Sequence, residues 1–510
     1  MAVGAGRKYG DIQPLDSFNR ELLAHVHPSG WTNPRARERY HLVVVGAGTA
    51  GRVCASAAAG LGASVALVER HLMGGDCLNV GCVPSKALIR AARSWHAARE
   101  SAASFGGPAA TGDGDFGAVM QRMRSLRAAI SQIDGAPRYT TLGVDVFFGD
   151  ARFTSAKSIE VEGQTLRFRR AVVATGARAA VPEAPGLAEA GYRTNETIFE
   201  LTTLPKRLLV VGAGPIGCEL AQAFARFGSA VTVLNRAARI LPRDDADAAA
   251  IVERAMMRDG VTFQHNAVLK SVELNGGDKV VRFERKGASH SAPCDEILIA
   301  AGRAPNVEGL GLESAGIAYG ERGVTADDSL RTTNARVFAA GDIASSYQFT
   351  HMADAHARIV ITNALFPGRS RASKLVVPWT TYTSPEVAHT GVTAEDVAAS
   401  RQAVDTFTTP LHDVDRARLD GEDEGFLRVY LKKGTDKILG ATLVAEHAGD
   451  MISEITLAIS SGLGLGKVGA AIHPYPTQAE VFRKTADSWR RTKLTQRIKK
   501  LLSAYFRWVR

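Results

Sequence analysis

One pattern occurs twice in this chain and limits what it can fold into more than any other feature. A run of aliphatic residues ends in G-x-G-x-x-G and continues into a helix-forming stretch, first as HLVVVGAGTAG at 41–51 and again as LLVVGAGPIG at 208–217. A second apolar strand follows in both places, SVALVE ending at Glu69 and SAVTVLNR ending at Arg236. Strand, glycine turn, helix and strand form a βαβ unit, so the chain is expected to hold two parallel sheets, each with a dinucleotide phosphate site at its turn.

In the first turn Gly46 makes the tight bend, Gly48 lets backbone approach a pyrophosphate, and Gly51 lets the helix close on the strand. Glu69, 23 residues beyond Gly46, is placed to accept hydrogen bonds from a ribose diol. Gly212, Gly214 and Gly217 repeat the turn, but the position of the acid is Asn235, followed by Arg236 and Arg239. Loss of a carboxylate and gain of guanidinium suit a 2′-phosphate, which favours NADPH over NADH at the second site. The alternative is that both arginines are ordinary solvated charges.

At roughly 150 residues per domain, 510 residues fit three or four domains. Hydrophobic residues at 45% and charged residues at 22% match soluble globular chains and exclude a disordered, fibrous or disulfide-scaffold protein. The net charge of +10 is concentrated at one end, because 481–510 holds ten Lys/Arg against one Asp. The remainder is nearly balanced, so no nucleic-acid partner is expected. No uncharged apolar run reaches the ~18 residues of a spanning helix, and residues 1–16 lack a signal-peptide core. A cytoplasmic protein is expected.

Residues 1–39 are polar, contain prolines and read as an extended or loosely packed arm. Helices are expected over about 84–101 and up to about 134, separated by a Gly/Pro/Ser-rich loop at 105–115. The strands VVPWTTYT, GFLRVYLKK and ILGATLVAE, followed by a helix near 449–461, indicate a separate α+β domain.

Five cysteines are too few for a secreted framework. Two of them stand close together in GGDCLNVGCVPSK, as Cys77 and Cys82. Residues five apart on one ideal helix point about 140° away from each other, beyond the reach of a disulfide, so a bond requires Cys77 to leave the regular helix. Gly74, Gly75 and Gly81 supply that freedom, and Pro84 fits an early helical turn. Helix-start amides and Lys86 would lower the pKa of whichever cysteine faces them. The alternatives are two buried thiols or half of a metal site. No second Cys pair or His cluster completes a zinc set, so no metal site is expected and a redox role is favoured. Cys54, Cys218 and Cys294 read as core residues.

Taken in order, these motifs resemble the class I pyridine nucleotide-disulfide oxidoreductases, a family that includes dihydrolipoamide dehydrogenase, glutathione reductase and mercuric reductase. ATG at 174–176, AAGRAPN at 300–306, AAGD at 339–342 and YPTQAE at 475–480 extend the resemblance over about 40–485. The resemblance implies FAD on the first turn, with Asp342 at its ribitol chain, and NADPH on the second. Gly75, Lys86, Thr175, Gly176, Gly302, Arg303 and Gly341 fall among the implied cofactor-binding positions. It also implies that hydride delivered to the flavin reduces a Cys77–Cys82 disulfide, with Cys82 against the flavin and Cys77 exchanging with substrate. Lys86 and Glu219 would form an ion pair beside the flavin. Independently, a hydride carries two electrons and a disulfide accepts two, and a flavin relays between them.

The implied fold is α/β, with two Rossmann-like dinucleotide-binding domains and a C-terminal α+β dimerisation domain. The expected layout is an arm at 1–39, FAD-binding parts at 40–190 and 316–375, an NAD(P)-binding domain at 191–315, a dimerisation domain at 376–485 and a basic helix at 486–510. A homodimer is implied, in which Tyr475 and Glu480 face the other subunit's Cys77.

The chain departs from the family at one position that bears on chemistry. Dihydrolipoamide dehydrogenase and glutathione reductase carry a histidine base before Pro-Thr-x-x-Glu, whereas Tyr475 stands there, ahead of Pro476, Thr477 and Glu480. Mercuric reductases also carry tyrosine. Unlike them, this chain has no C-terminal cysteine pair and no N-terminal Cys-x-x-Cys module. His473 is a candidate base, with a solvent-side or packing histidine as the alternative. The expected function is therefore NADPH-to-FAD-to-disulfide electron transfer onto a small-molecule acceptor, mercuric reductase-like. The alternatives are a dihydrolipoamide dehydrogenase-like enzyme and a membrane-associated electron carrier.

Residues 489–510 place Leu494, Ile498, Leu501, Leu502, Tyr505 and Val509 on one helical stripe with basic residues mostly opposite. Such a helix reads as peripheral contact with the inner face of a membrane or as docking on a protein surface, its own dimer included.

Overall fold

The computed structural model describes residues 12–399 and 403–510. They form two compact units, one built from residues up to 236 together with 260–375, the other from 237–259 together with 376–510. The architecture is mixed α/β, as the paired glycine turns require.

In the first unit, the strands Val144–Phe148, Val65–Glu69, Tyr40–Val45 and Gln164–Val173 lie side by side in parallel, and Val337–Ala339 joins Gln164–Val173. Both faces of the first strand are covered, which is why its residues read as a continuous apolar run rather than an alternating one. Leu42 and Val44 enter one core cluster, Val43 and Val45 the other. The second glycine turn opens a smaller parallel sheet in the order Thr262–His265, Ala230–Asn235, Arg207–Val211, Glu296–Ile299. An antiparallel meander, Ala267–Asn275, Asp278–Arg285 and Ala288–Cys294, is inserted before its last strand.

The described part of the expected N-terminal arm is not loose; residues 1–11 of that arm lie outside the described residues. Helix Ser17–Val26 is capped by the Asp16 carboxylate, which accepts from the Asn19 amide, and its Leu22, Leu23 and Val26 are buried. Each such side chain contributes about 1.5–3 kcal/mol on burial, more than a polar flank can offset. Two arginines of helix Phe116–Ser131 tie it down: Arg124 Nε donates to Asp16 at 2.6 Å, and Arg127 bridges Asn19 Oδ1 and the Asn79 carbonyl at 2.7 and 2.6 Å. Asn79 belongs to the segment that carries the cysteines, so this helix helps fix their position.

The second unit is built on an antiparallel sheet in the order Pro378–Thr381, Glu386–Gly391, Ile438–Ala445, Phe426–Lys432, Val404–Pro410. Helices Ala448–Ser460 and Glu480–Thr492 cover it, burying Ile452, Ile455, Val481 and Phe482. Helix Ala246–Arg258 belongs to this unit: Tyr430 and Arg428 both donate to Asp245, at 2.6 and 3.2 Å, and Trp379 donates to Asp244 at 2.9 Å. The tail expected as one helix over 489–510 is two, Glu480–Thr492 and Gln496–Trp508. Thr495 ends the continuity by capping the second helix, its hydroxyl accepting from the Ile498 amide.

Candidate active site

The first turn is closed by contacts that admit no side chain. A Cβ on Gly51 would stand 1.8 Å from the Gly46 carbonyl oxygen, and one on Gly46 would stand 2.4 Å from that of Ala174. The middle glycine is different. A Cβ on Gly48 would meet only Gly75 Cα at 3.8 Å, and one on Gly214 in the second turn would meet nothing within 4 Å. Gly48 and Gly214 are also the N-caps of helices Thr49–Gly60 and Pro215–Phe227, neither capped by a side chain. Open space in front of uncapped helix-start amides fits a pyrophosphate at both turns.

Around the first turn, Glu69 accepts from the amides of Ala47 at 2.8 Å and His71 at 2.9 Å. Burial raises its pKa, and those two bonds oppose the rise. Strand Ala177–Ala179 pairs with Arg303–Pro305, which brings the 174–176 and 300–306 motifs together. There Thr175 and Asn306 exchange hydrogen bonds of 2.9 Å, side chain to main chain in both directions. Gly176 takes φ +67° and Gly302 takes φ +128°, backbone that a side chain would strain. Arg303 donates to Asp76 and to the Ala177 carbonyl and lies 3.6 Å from Asp342. Burial pushes the Asp342 carboxyl up, with the Arg303 charge opposing. The Gly341 amide donates to Nδ1 of buried His356 at 3.3 Å, and burial lowers the pKa of that imidazole, keeping it an acceptor.

The cysteines sit on two elements. Cys77 lies in the single-turn helix Gly75–Asn79, and Cys82 opens the long helix Cys82–Phe105, so the five-residue spacing does not run along one regular helix. Both are free thiols; Cys77 is half-buried and Cys82 exposed. The Cys77 thiol hydrogen-bonds to Cys82, and this contact does most to lower the Cys82 pKa to about 6. Desolvation by the protein groups around its sulfur opposes the shift, while Thr350 Oγ1, 3.3 Å from Cys82 Sγ, and the Lys86 charge add to it. The same thiol contact and burial push Cys77 far up. The reduced pair therefore divides into a thiolate at Cys82 and a thiol at Cys77. One turn on, Lys86 Nζ donates to Glu219 Oε2 at 2.7 Å, with Glu219 buried.

At the second turn Asn235 is buried, its amide 3.2 Å from His265 Nδ1. Arg236 is exposed and makes no ion pair among the described residues. The guanidinium of Arg239 donates to the Leu241, Pro242 and Asp244 carbonyls, so it is held by its own loop.

In the second unit Tyr475 is 71% exposed and its hydroxyl donates to Asp415 at 3.2 Å. Glu480 is buried and accepts from Arg483 at 2.5 Å. His473 does not share the exposure of Tyr475: its side chain is 6% exposed and Nε2 stands 3.0 Å from Glu454.

Asp76, Thr350 and His356 are not among the residues that the sequence motifs mark. Each touches a recognised motif residue, but their partners are 227, 268 and 15 positions away. The aspartate between Gly75 and Cys77 was the one local signal. Among the described residues no cluster of three or more His, Cys, Asp or Glu could hold a metal ion, and no helix is long and apolar enough to cross a membrane.

The family described as pyridine nucleotide-disulphide oxidoreductase matches residues 40–357, and its dimerisation domain matches 377–486. A mercuric reductase from Bacillus cereus is 34% identical over 92% of this chain and 74% of its own length. A dihydrolipoyl dehydrogenase from Bacillus subtilis (strain 168) is 33% identical over 87% of this chain and 95% of its own. Among solved structures, the HOCl-induced flavoprotein disulfide reductase RclA from Escherichia coli superposes with a TM-score of 0.78 at 28% identity, covering 88% of this chain and 99% of that one.

Proposed function

Since the chain belongs to the pyridine nucleotide-disulphide oxidoreductase family of FAD-dependent enzymes fed by NAD(P)H, we propose that it passes electrons from NADPH to the Cys77–Cys82 pair and on to mercuric ion. The observation that carries the reading is the asymmetric pair itself, a thiolate at Cys82 supported by Cys77, Thr350 and Lys86. When bound, FAD supplies the conversion of a two-electron hydride donor into a reductant for the disulfide.

The chain's own groups do the rest. Gly48 and Gly75 leave the backbone free to approach the pyrophosphate, Glu69 accepts from the ribose, and Asp342, held by Arg303, accepts from the ribitol chain. Arg236 meets the 2′-phosphate of NADPH; Arg239, occupied by carbonyls, does not. Reduction of the disulfide by two electrons and one proton leaves the thiol on Cys77 and the thiolate on Cys82. Lys86 and Glu219 keep a compensated charge pair beside them.

Tyr475 favours a metal ion over a disulfide as acceptor. Thiol–disulfide exchange must protonate a leaving thiolate, and neither Tyr475, bonded to Asp415, nor His473, engaged by Glu454, is an imidazole open to solvent in this protomer. Mercuric ion is a soft cation that thiolates bind well. It takes the electron pair as Cys77 and Cys82 rejoin in a disulfide and the Cys77 proton passes to solvent, and it leaves as elemental mercury with no proton needed to release it. The dimerisation domain supports a homodimer, in which Tyr475 and Glu480 would complete the partner's site.

Anaerobic titration with NADPH, followed by turnover with mercuric ion, lipoamide and glutathione disulfide, tests the proposal. A long-wavelength absorption band at two electrons that is lost in Cys82→Ser, with mercuric ion as the fastest acceptor, is expected. Reduction without a Cys82-dependent band removes the cysteines from the relay; faster turnover of either disulfide removes the metal-ion reading.

A further inference from the structure

Helix Gln496–Trp508 is explained neither by the family, whose match ends at residue 486, nor by packing, since none of its residues is buried. The preceding helix is firmly seated through Val481, Phe482, Thr485 and Ala486. Lys493 secures its end, donating to the Gly434 carbonyl at 3.1 Å and lying 5.1 Å above the Trp489 ring. Beyond that point Thr495 starts a new helix, which projects as an element of its own.

At 100° per residue, Ile498, Leu501, Leu502, Tyr505 and Val509 fall within about 100° of arc, and Lys499, Lys500, Arg507 and Arg510 within a similar arc opposite. The apolar side is uncovered: Leu501 is 69% exposed and Trp508 82%. No acidic residue follows Asp487. These features select among partners. A second copy of the helix would match the apolar stripe but bring further cations and no carboxylate to neutralise them. An anionic bilayer offers an apolar layer and a negative surface in one plane, which is the arrangement this helix presents. Tyr505, Phe506 and Trp508 add aromatic side chains, of which Tyr and Trp settle best at that boundary. Thirteen residues rise about 20 Å, too short to span, so the helix would lie in the plane.

We propose that helix Gln496–Trp508 is an in-plane anchor for an anionic lipid surface. The inference is independent of which acceptor the enzyme reduces. The test is flotation of the FAD-loaded full chain with vesicles of phosphatidylcholine alone or mixed with phosphatidylglycerol, beside a chain ending at Leu494. Flotation with the mixed vesicles only, lost on truncation and in Leu501→Asp, is expected. Lys499→Gln with Lys500→Gln should weaken binding about thirtyfold, the worth of two basic groups at such a surface. Unchanged NADPH-linked turnover in the truncated chain shows that it is folded. Equal flotation of full and truncated chains, or none with mixed vesicles at low salt, overturns the proposal. A truncation that alters oligomeric mass while flotation stays absent does so too, and assigns the face to a protein contact.

Discussion

Replacing Cys77 by alanine isolates the strongest support of the Cys82 thiolate. In the reduced protein that thiolate titrates at about 6, and the Cys77 hydrogen bond is the largest of the effects holding it there. A hydrogen bond to a charged group is worth about 1.5–3 kcal/mol, or one to two pKa units at 1.36 kcal/mol each. Cys82 is exposed, so water replaces part of the lost bond and the expected rise is about one unit. Thr350→Val removes a smaller contribution and should raise it by about half a unit. Lys86→Gln should raise it least, following the order of causes in the structure. Under the proposed assignment, flavin–thiolate absorption of the Cys77→Ala holoenzyme reads the ionisation directly, because no disulfide can form. Burial pushes the Cys54 and Cys294 thiols up, and Cys218 is buried as well. The thiolate exists above its pKa, so the band fades as pH falls, and in Cys77→Ala it should fade near 7 rather than near 6. An inflection at or below 6 in that variant, or a larger shift in Thr350→Val, would refute the assignment of Cys77 as the main support.

Gly51→Ala places a methyl 1.8 Å from the Gly46 carbonyl, so the protein should purify with little flavin and a lower Tm; normal flavin content would mean the turn yields. Lys86→Met leaves the buried Glu219 carboxylate without this partner and should cost about 1–2 kcal/mol in chemical denaturation, Lys86 being partly exposed. Glu219→Gln should cost less, and the reverse order would contradict the charge argument. Arg236→Leu should raise the KM for NADPH about tenfold or more while leaving that for NADH nearly unchanged; parallel changes would return Arg236 to the solvated charges.

The sequence by itself determined both glycine turns, the cysteine pair and the two-sheet plan. These features are written in consecutive residues because their physical demands are local: a turn that excludes Cβ atoms, a strand covered on both faces, a helix opening at a cysteine. The separate tail helix was legible in principle too, since Thr495 and the Ile498 amide form a cap within four residues. What only the tertiary structure decided depends on residues distant in the chain. Arg124 and Arg127 tie down helix Ser17–Val26, Thr350 adds to the support of the Cys82 thiolate, and Asp76 and Asp342 hold Arg303 in place. The separation of Tyr475 from His473 rests on Asp415 and Glu454, which draw one outward and the other inward. Polar side chains such as these carry no periodic signal. Their roles are set by which partners the folded core brings within reach, and hydrophobic patterning along the chain does not record that choice.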